Sequence, residues 1–272
     1  LYTMHDPKYN WKYYSEPEPH LNNRRLFCPR GKMIGGCSAH NGMVFVRGNR
    51  NDYERWENFG LKSWSYEKVL PYFKKIETWS GGENQYRGSL GPLPVNQSKN
   101  DNPLFKAFIN SASEAGHTVN PDMNGEEQEG FGMFDTTIHE GQRASATKYY
   151  LNPAKKRKNL NIFSNSFVEK IIFEGKKAIG IEVKIKNKVE KVYAEKEVIL
   201  SSGSINSPQL LMLSGVGNSD HLREKGIDVV SDIKGVGKNL QDHLETYIMQ
   251  ECKTPDTLYT YTKLIPKVLA GI

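Results

Sequence analysis

The run Arg30-Gly31-Lys32-Met33-Ile34-Gly35-Gly36-Cys37-Ser38-Ala39-His40-Asn41-Gly42-Met43-Val44 sets four glycines beside an imidazole, an amide and a small hydroxyl. Glycine lets a backbone pass close to a flat or phosphorylated ligand, and exposed amides in such loops form anion-binding concavities. Alone, the run has two readings: a cofactor loop, or ordinary turn chemistry built from Gly, Ser and Asn. A second run, Gly203-Ser204-Ile205-Asn206-Ser207-Pro208, leads into the apolar stretch Leu210 to Leu213 and the close Ser214-Gly215-Val216-Gly217. It follows the apolar run Glu197 to Ser202, so strand, glycine and helix come in order. That order puts helical amides and a bare glycine at the carboxyl end of a strand, where open sheets bind ligands.

Together, in this order and spacing, the two runs resemble both signature segments of the glucose-methanol-choline (GMC) oxidoreductases, FAD enzymes that oxidise alcohols by hydride transfer. The likeness continues in Tyr9-Asn10-Trp11, Glu16-Pro17-Glu18-Pro19, Arg47-Gly48-Asn49 with Asp52-Tyr53, Glu129-Gly130-Phe131-Gly132, and Gly235 to His243. It is greatest toward the choline-oxidising dehydrogenases of the family. The fold class it implies is α/β: a GMC-type FAD-binding, Rossmann-like domain with an inserted lid and the start of a substrate domain, incomplete. The implied divisions are 1–46 for part of the FAD-binding domain with its flavin loop, 47–159 for the lid, 160–243 for the FAD-binding domain continued, and 244–272 for the start of the substrate domain.

The resemblance also assigns residues. Asn41 and Gly42 are the foremost flavin contacts, with Gly36, Met43 and Val44 on the same loop. Val168 meets the adenine through its main chain, and Gly203 lies at the sheet edge near the cofactor. His40 occupies the position where related choline oxidases bond a histidine covalently to the flavin; the alternative is an uncommitted loop histidine. Glu245, in Asp242-His243-Leu244-Glu245, matches the acidic residue that binds a trimethylammonium head, and the alternative is a solvated strand glutamate. A quaternary ammonium has no hydrogen to donate, so its site relies on aromatic faces and an unpaired carboxylate away from water. Tyr247, Tyr259 and Tyr261 are candidates for an aromatic wall.

The implied reaction is oxidation of choline to betaine aldehyde, toward glycine betaine, with electrons passing to a quinone-type or other acceptor. No catalytic residue is expected within the chain, because the family carries its base and the His or Asn partner further downstream. The Gly-x-Gly-x-x-Gly turn that would hold the ADP half is also absent, so a central fragment, inactive alone, is expected. The alternatives are a GMC dehydrogenase for a neutral alcohol or polyol, and an inactive remnant.

The elements that must position these residues are read from periodicity. Leu1 to Cys28 reads as surface loop with short extended pieces. Asp52 to Phe59 reads as a helix; Ser65 is an N-cap for Tyr66 to Leu70, which Pro71 interrupts or kinks. Gly81 to Pro103 is a polar excursion, Asn102-Pro103 starts a helix that stops at Gly116, and Phe131 to His139 is extended. Ser145 to Leu151 is a helix closed by Asn152-Pro153. Strands are predicted at Leu160–Phe163, Val168–Phe173, Ala178–Ile185 and Val189–Ala194, with a buried strand over Glu197–Ser202 and a helix entered through Ser207-Pro208.

With 272 residues the chain has ample material for a core. The net charge of +6 is mild and the lysines are scattered without a recognised module, so nucleic acid is not a partner; a pI of 9.0 leaves room for peripheral contact with an anionic membrane surface. The three cysteines lack metal-ligand spacing, which argues against zinc and against a disulfide framework and points to a reducing, cytoplasmic-side location. No apolar run is long enough to span a bilayer.

Overall fold

The computed structural model describes residues 4–98, 101–253, 256, 257 and 259. The chain divides into two compact units, one of Leu1–Leu160 with the segment from Glu251, the other of Asn161–Gln250.

In the first unit, β1 (Tyr13–Tyr14) pairs antiparallel with β2 (Phe27–Cys28) across a proline-rich connection that holds a 3-10 turn at Pro19–Leu21 and an isolated bridge between Glu18 and Arg24. β3 (Val44–Phe45) leaves the glycine loop and forms the edge of a four-stranded sheet. Helix α1 (Arg50–Asn58) begins where Asn49 Oδ1 accepts the Asn51 amide at 3.0 Å, an N-cap bond. Helix α2 (Tyr66–Ile76) runs into β4 (Glu77–Trp79), which pairs in parallel with β5 (Leu93–Gln97). Helix α3 (Pro103–Glu114) is capped by Asn102, whose Oδ1 accepts the Leu104 amide, and ends before Gly116. β6 (Asp135–Thr136) completes the sheet in the order β3-β6-β5-β4. The hairpin β7 (Ile138–His139) and β8 (Gln142–Arg143) turns through Glu140 and Gly141, both at positive φ, as a two-residue primed turn requires.

Four expectations change here. Pro71 does not end its helix: α2 continues to Ile76, because Tyr66 before the proline and Phe73 after it both pack on the Tyr53 ring, with centroids 6.2 and 5.7 Å away. Tertiary packing therefore overrides the lost backbone bond. Ser65 has the extended backbone of a cap, yet its side chain makes no capping bond. The stretch Gly81 to Pro103 is no mere excursion, since it supplies β5 with fully buried Val95 and also fully buried Arg87. The helix from Ser145 is a π-turn, Thr147–Leu151, that runs on into α4 (Asn152–Ala154) instead of stopping at Asn152-Pro153. Pro153 falls where the ladder changes from Asn152 N→Thr147 O to Lys155 N→Leu151 O, so its missing N–H interrupts little.

The second unit is built on an antiparallel meander, β9 (Ser166–Glu174), β10 (Lys177–Ile185) and β11 (Lys188–Tyr193), with β10 central. Lys186 and Asn187 link β10 to β11 with φ of 47° and 68°, again a primed turn. Ile171 and Val183 are buried beneath the sheet, where α5 (Gly203–Leu213) packs on β9. Ser214, just past α5, locks the two together: its Oγ accepts the Ile171 amide at 2.8 Å and donates to the Leu210 carbonyl at 2.6 Å. β12 (Val216–Gly217) pairs in parallel with β13 (Ser231–Asp232) across α6 (Ser219–Glu224), whose Leu222 is fully buried.

Two predicted strands do not form. Leu160–Phe163 is irregular, and Glu197–Ser202 pairs with no described strand, leaving Ile199 78% exposed. An apolar run becomes a central strand only with hydrogen-bonding neighbours on both sides, and the described residues offer none. Helix α5 starts at Gly203, four residues before Ser207; Pro208 lies inside it, and Ser207 Oγ accepts the Ser202 amide at 3.0 Å. Among the described residues no helix is long and apolar enough to cross a membrane.

Candidate functional site

The glycine loop folds back on itself through close backbone contact. A Cβ on Gly31 would lie 2.5 Å from the carbonyl of Gly36 and 2.9 Å from His40 Nε2, so only glycine permits this approach. Gly36 begins a 3-10 turn, Gly36–Ala39, with φ of 53° and open space where a Cβ would point. The turn is closed by Ser38 Oγ, which donates to the Gly35 carbonyl at 2.6 Å and accepts the Ala146 amide at 3.0 Å.

His40, Asn41 and Gly42 then line a cavity of about 520 Å³ together with Arg30, Cys37 and Arg143. Both ring nitrogens of His40 are buried without a hydrogen-bond partner. Since an unmet buried polar group costs about 1–3 kcal/mol, this ring is suited to a ligand. Asn41 and Gly42 are exposed beside it. Met43 takes the left-handed conformation, φ 61°, held by its carbonyl accepting the Thr137 amide at 2.8 Å. Val44 is about half exposed on β3. Of the sequence-assigned loop residues, His40, Asn41 and Gly42 line this cavity and Gly36, Met43 and Val44 do not; an opening bounded by a glycine, an imidazole without partners and a side-chain amide is chemically compatible with the edge of a flavin.

Val168, Gly203 and Glu245 belong to the second unit. Val168 lies on β9 opposite Val183, and Gly203 is exposed at the start of α5 with φ 89°. Glu245 is exposed in an irregular segment. Its described companion is Tyr247, whose pKa is raised by the hydrogen bond to Glu245 and by that carboxylate's charge. Tyr259 is 72% exposed, and Tyr261 lies outside the described residues. Among the described residues no cluster of three or more His, Cys, Asp or Glu could hold a metal ion.

Two groups of residues behind the loop escaped sequence reasoning. Arg143, on β8, donates from Nη1 to Asn41 Oδ1 at 2.7 Å and to the Asn41 carbonyl at 2.8 Å. Further back, a buried ionic network holds the chain that leaves β3. Arg47 Nη2 donates to Glu77 Oε1 at 2.7 Å; Arg87 meets both oxygens of Glu77, at 3.0 and 3.2 Å, as well as Asp122 at 2.6 Å and Asp135 at 2.7 Å. Arg87 also covers the Trp79 ring at 4.2 Å. Burial works against the Arg87 charge, but the hydrogen bond and charge of Glu77, joined by Asp135, outweigh it and raise its pKa. Arg47, for which burial dominates, is lowered. Arg47 had been visible only as a motif residue, and nothing in the polar context of Glu77 and Arg87 signals a buried pair. Their pairing spans ten residues and depends on β4 and β5 lying side by side.

A family model for GMC oxidoreductases matches residues 14–245. The chain is 49% identical over 271 residues to an oxygen-dependent choline dehydrogenase of Brucella ovis, an alignment covering 100% of this chain and 49% of that protein. It is 49% identical over 267 residues to the mitochondrial choline dehydrogenase of Homo sapiens, covering 98% and 45%. Among solved structures, an FAD-dependent oxidoreductase from Chaetomium thermophilum superposes with a TM-score of 0.80 at 33% identity, covering 86% of this chain and 43% of that one. The chain spans about half the length of the curated relatives it matches.

Proposed function

The chain belongs to the GMC oxidoreductases, and from that membership we propose that it serves an FAD-dependent oxidation of choline to betaine aldehyde, toward glycine betaine. The observation that carries the reading is the pair of unpartnered His40 ring nitrogens beside Asn41 and Gly42, in a loop whose glycines leave room for a flat ring. The identity to choline dehydrogenases supports the choice of alcohol. FAD, when bound, accepts the hydride released from the alcohol carbon.

In this reading Gly36 and Gly42 admit the cofactor, Asn41 and the Met43–Val44 backbone orient it, and His40 either packs against the ring or bonds to it covalently. Val168 offers its main chain to the adenine, and Gly203 lies beside the cofactor. Glu245 holds the trimethylammonium head by charge, with Tyr247 offering an aromatic face. Residues 1–46 and 160–243 form the FAD-binding part, 47–159 the lid, and 244–272 the start of the substrate part. Electrons leave to a quinone-type acceptor, with peripheral membrane contact on the cytoplasmic side. The group that takes the hydroxyl proton is not assigned to any residue of this chain.

The test is anaerobic flavin reduction in the complete natural protein by choline and by its neutral isostere 3,3-dimethyl-1-butanol. Choline should reduce the flavin much faster at equal concentration. Equal rates would overturn the assignment of Glu245 and favour the neutral-alcohol alternative.

A further inference from the structure

The strap behind the glycine loop decides which way the Asn41 amide faces. Arginine has only donors, so the Asn41 atom that meets Arg143 Nη1 at 2.7 Å has to be the amide oxygen. That oxygen also accepts the Met43 amide at 3.2 Å, which fills its two lone-pair directions. The opposite arrangement, with the NH2 toward Arg143, would set donor against donor twice. The same Nη1 donates to the Asn41 carbonyl at 2.8 Å and reaches the Ser38 carbonyl at 3.4 Å, so one guanidinium ties Ser38 within the 3-10 turn to Asn41, two residues past its end. Arg143 is itself held in place by the β7–β8 turn, and Thr137, just before that turn, binds the Met43 carbonyl.

We infer that Arg143 is a positioning residue that fixes Asn41 as a hydrogen-bond donor toward the cofactor: its bond to Oδ1 leaves Nδ2 as the amide's outward group. The inference rests on the flavin reading of this loop. It predicts that Asn41 meets an acceptor atom of the flavin, and that Arg143 acts through Asn41 instead of touching the cofactor itself. Lysine could supply the charge, but as a compact point donor on a differently shaped stem it would replace the planar fork only in part.

The test is a double-mutant cycle with Arg143→Met and Asn41→Ala, made on the complete protein carrying His40→Ala so that no covalent link can hold the flavin, and read as the FAD dissociation constant by flavin fluorescence. A charge-assisted hydrogen bond of about 1.5–3 kcal/mol corresponds to roughly 10- to 150-fold in affinity, and an effect passed through Asn41 should fall near the lower end. Arg143→Met should therefore weaken FAD binding about tenfold where Asn41 is present and less than about threefold where it is replaced by alanine, with Arg143→Lys in between. Equal losses in both backgrounds, or no loss in either, would overturn the inference. Hydrogen exchange of residues 38–43 in the apoprotein adds a readout independent of flavin, and exchange unchanged by Arg143→Lys and Arg143→Met would refute the strap. If choline proves not to be the substrate while the cycle behaves as stated, the substrate reading fails and the role of Arg143 stands; a native protein with no affinity for FAD overturns both.

Discussion

Replacing Arg87 by methionine removes the cation at the centre of the first unit while nearly preserving side-chain volume. The Arg87 side chain is fully buried and makes four charge-assisted hydrogen bonds to three carboxylates. Adding these at about 1.5–3 kcal/mol each would give roughly 6–12 kcal/mol, but that sum ignores the desolvation already spent on the guanidinium. The better guide is what remains afterwards. Glu77 keeps Arg47 at 2.7 Å and the Gly88 amide at 2.9 Å, so it stays compensated. Asp135 keeps only neutral donors, Trp79 Nε1 and Asn124 Nδ2, each at 3.3 Å, and Asp122 keeps the Asn124 amide at 3.0 Å. Two carboxylates thus lose their cation, one buried and one 16% exposed. Breaking a buried pair from one side costs about 3–5 kcal/mol, which for a unit of this size lowers Tm by about 6–20 °C. Thermal unfolding followed by tryptophan fluorescence measures it directly, since Trp79 stacks on Arg87. Arg87→Lys, which keeps the charge but not the fork, should lose less. A shift within the roughly 0.5 kcal/mol typical of neutral surface changes would refute the claim that this network holds the sheet behind the glycine loop.

Gly31→Ala should deform the loop, because the added methyl meets backbone atoms at 2.5 Å; we expect a cost of about 1–3 kcal/mol and loss of bound FAD, checked by flavin content after gel filtration. Ser214→Ala strands the buried Ile171 amide and should destabilise the second unit by about 1–3 kcal/mol in urea unfolding, with Ser214→Gly no better. Glu245→Gln should raise the KM for choline and leave that for a neutral alcohol nearly unchanged in steady-state kinetics. Acid precipitation separates the two roles of His40: yellow colour retained in the pellet means a covalent bond, and a colourless pellet excludes it.

Much of the fold follows from local chemistry. The strands β9, β10 and β11 are divided by residues that accept positive φ, so the strands and their turns were legible, whereas the register was not: it shifts between Ala178 and Gly180 and again between Glu182 and Val183. Asn102-Pro103 and Gly116 bracketed α3 for the same reason, since capping and helix arrest act within a few residues. The course of α2 through Pro71 was not legible, as it depends on Tyr53 receiving rings from both sides of the proline. Nor was the fate of Glu197–Ser202, whose apolar pattern announces a strand but cannot name the neighbour that would pair with it.

The amino-acid sequence by itself determined the family, the likeness to FAD enzymes and the place of the glycine-rich loop at Gly36 to Val44, because glycines and small polar groups at fixed spacing are local properties of the chain. Only the tertiary structure decided that Arg143 grips Asn41 across 102 residues, that Arg47, Glu77, Arg87 and Asp135 share one buried network, and that the His40 nitrogens are enclosed without partners. The physical reason is range. Propensity and spacing act over a few residues, whereas the partner of a buried charge is chosen by which distant strands and turns pack against each other.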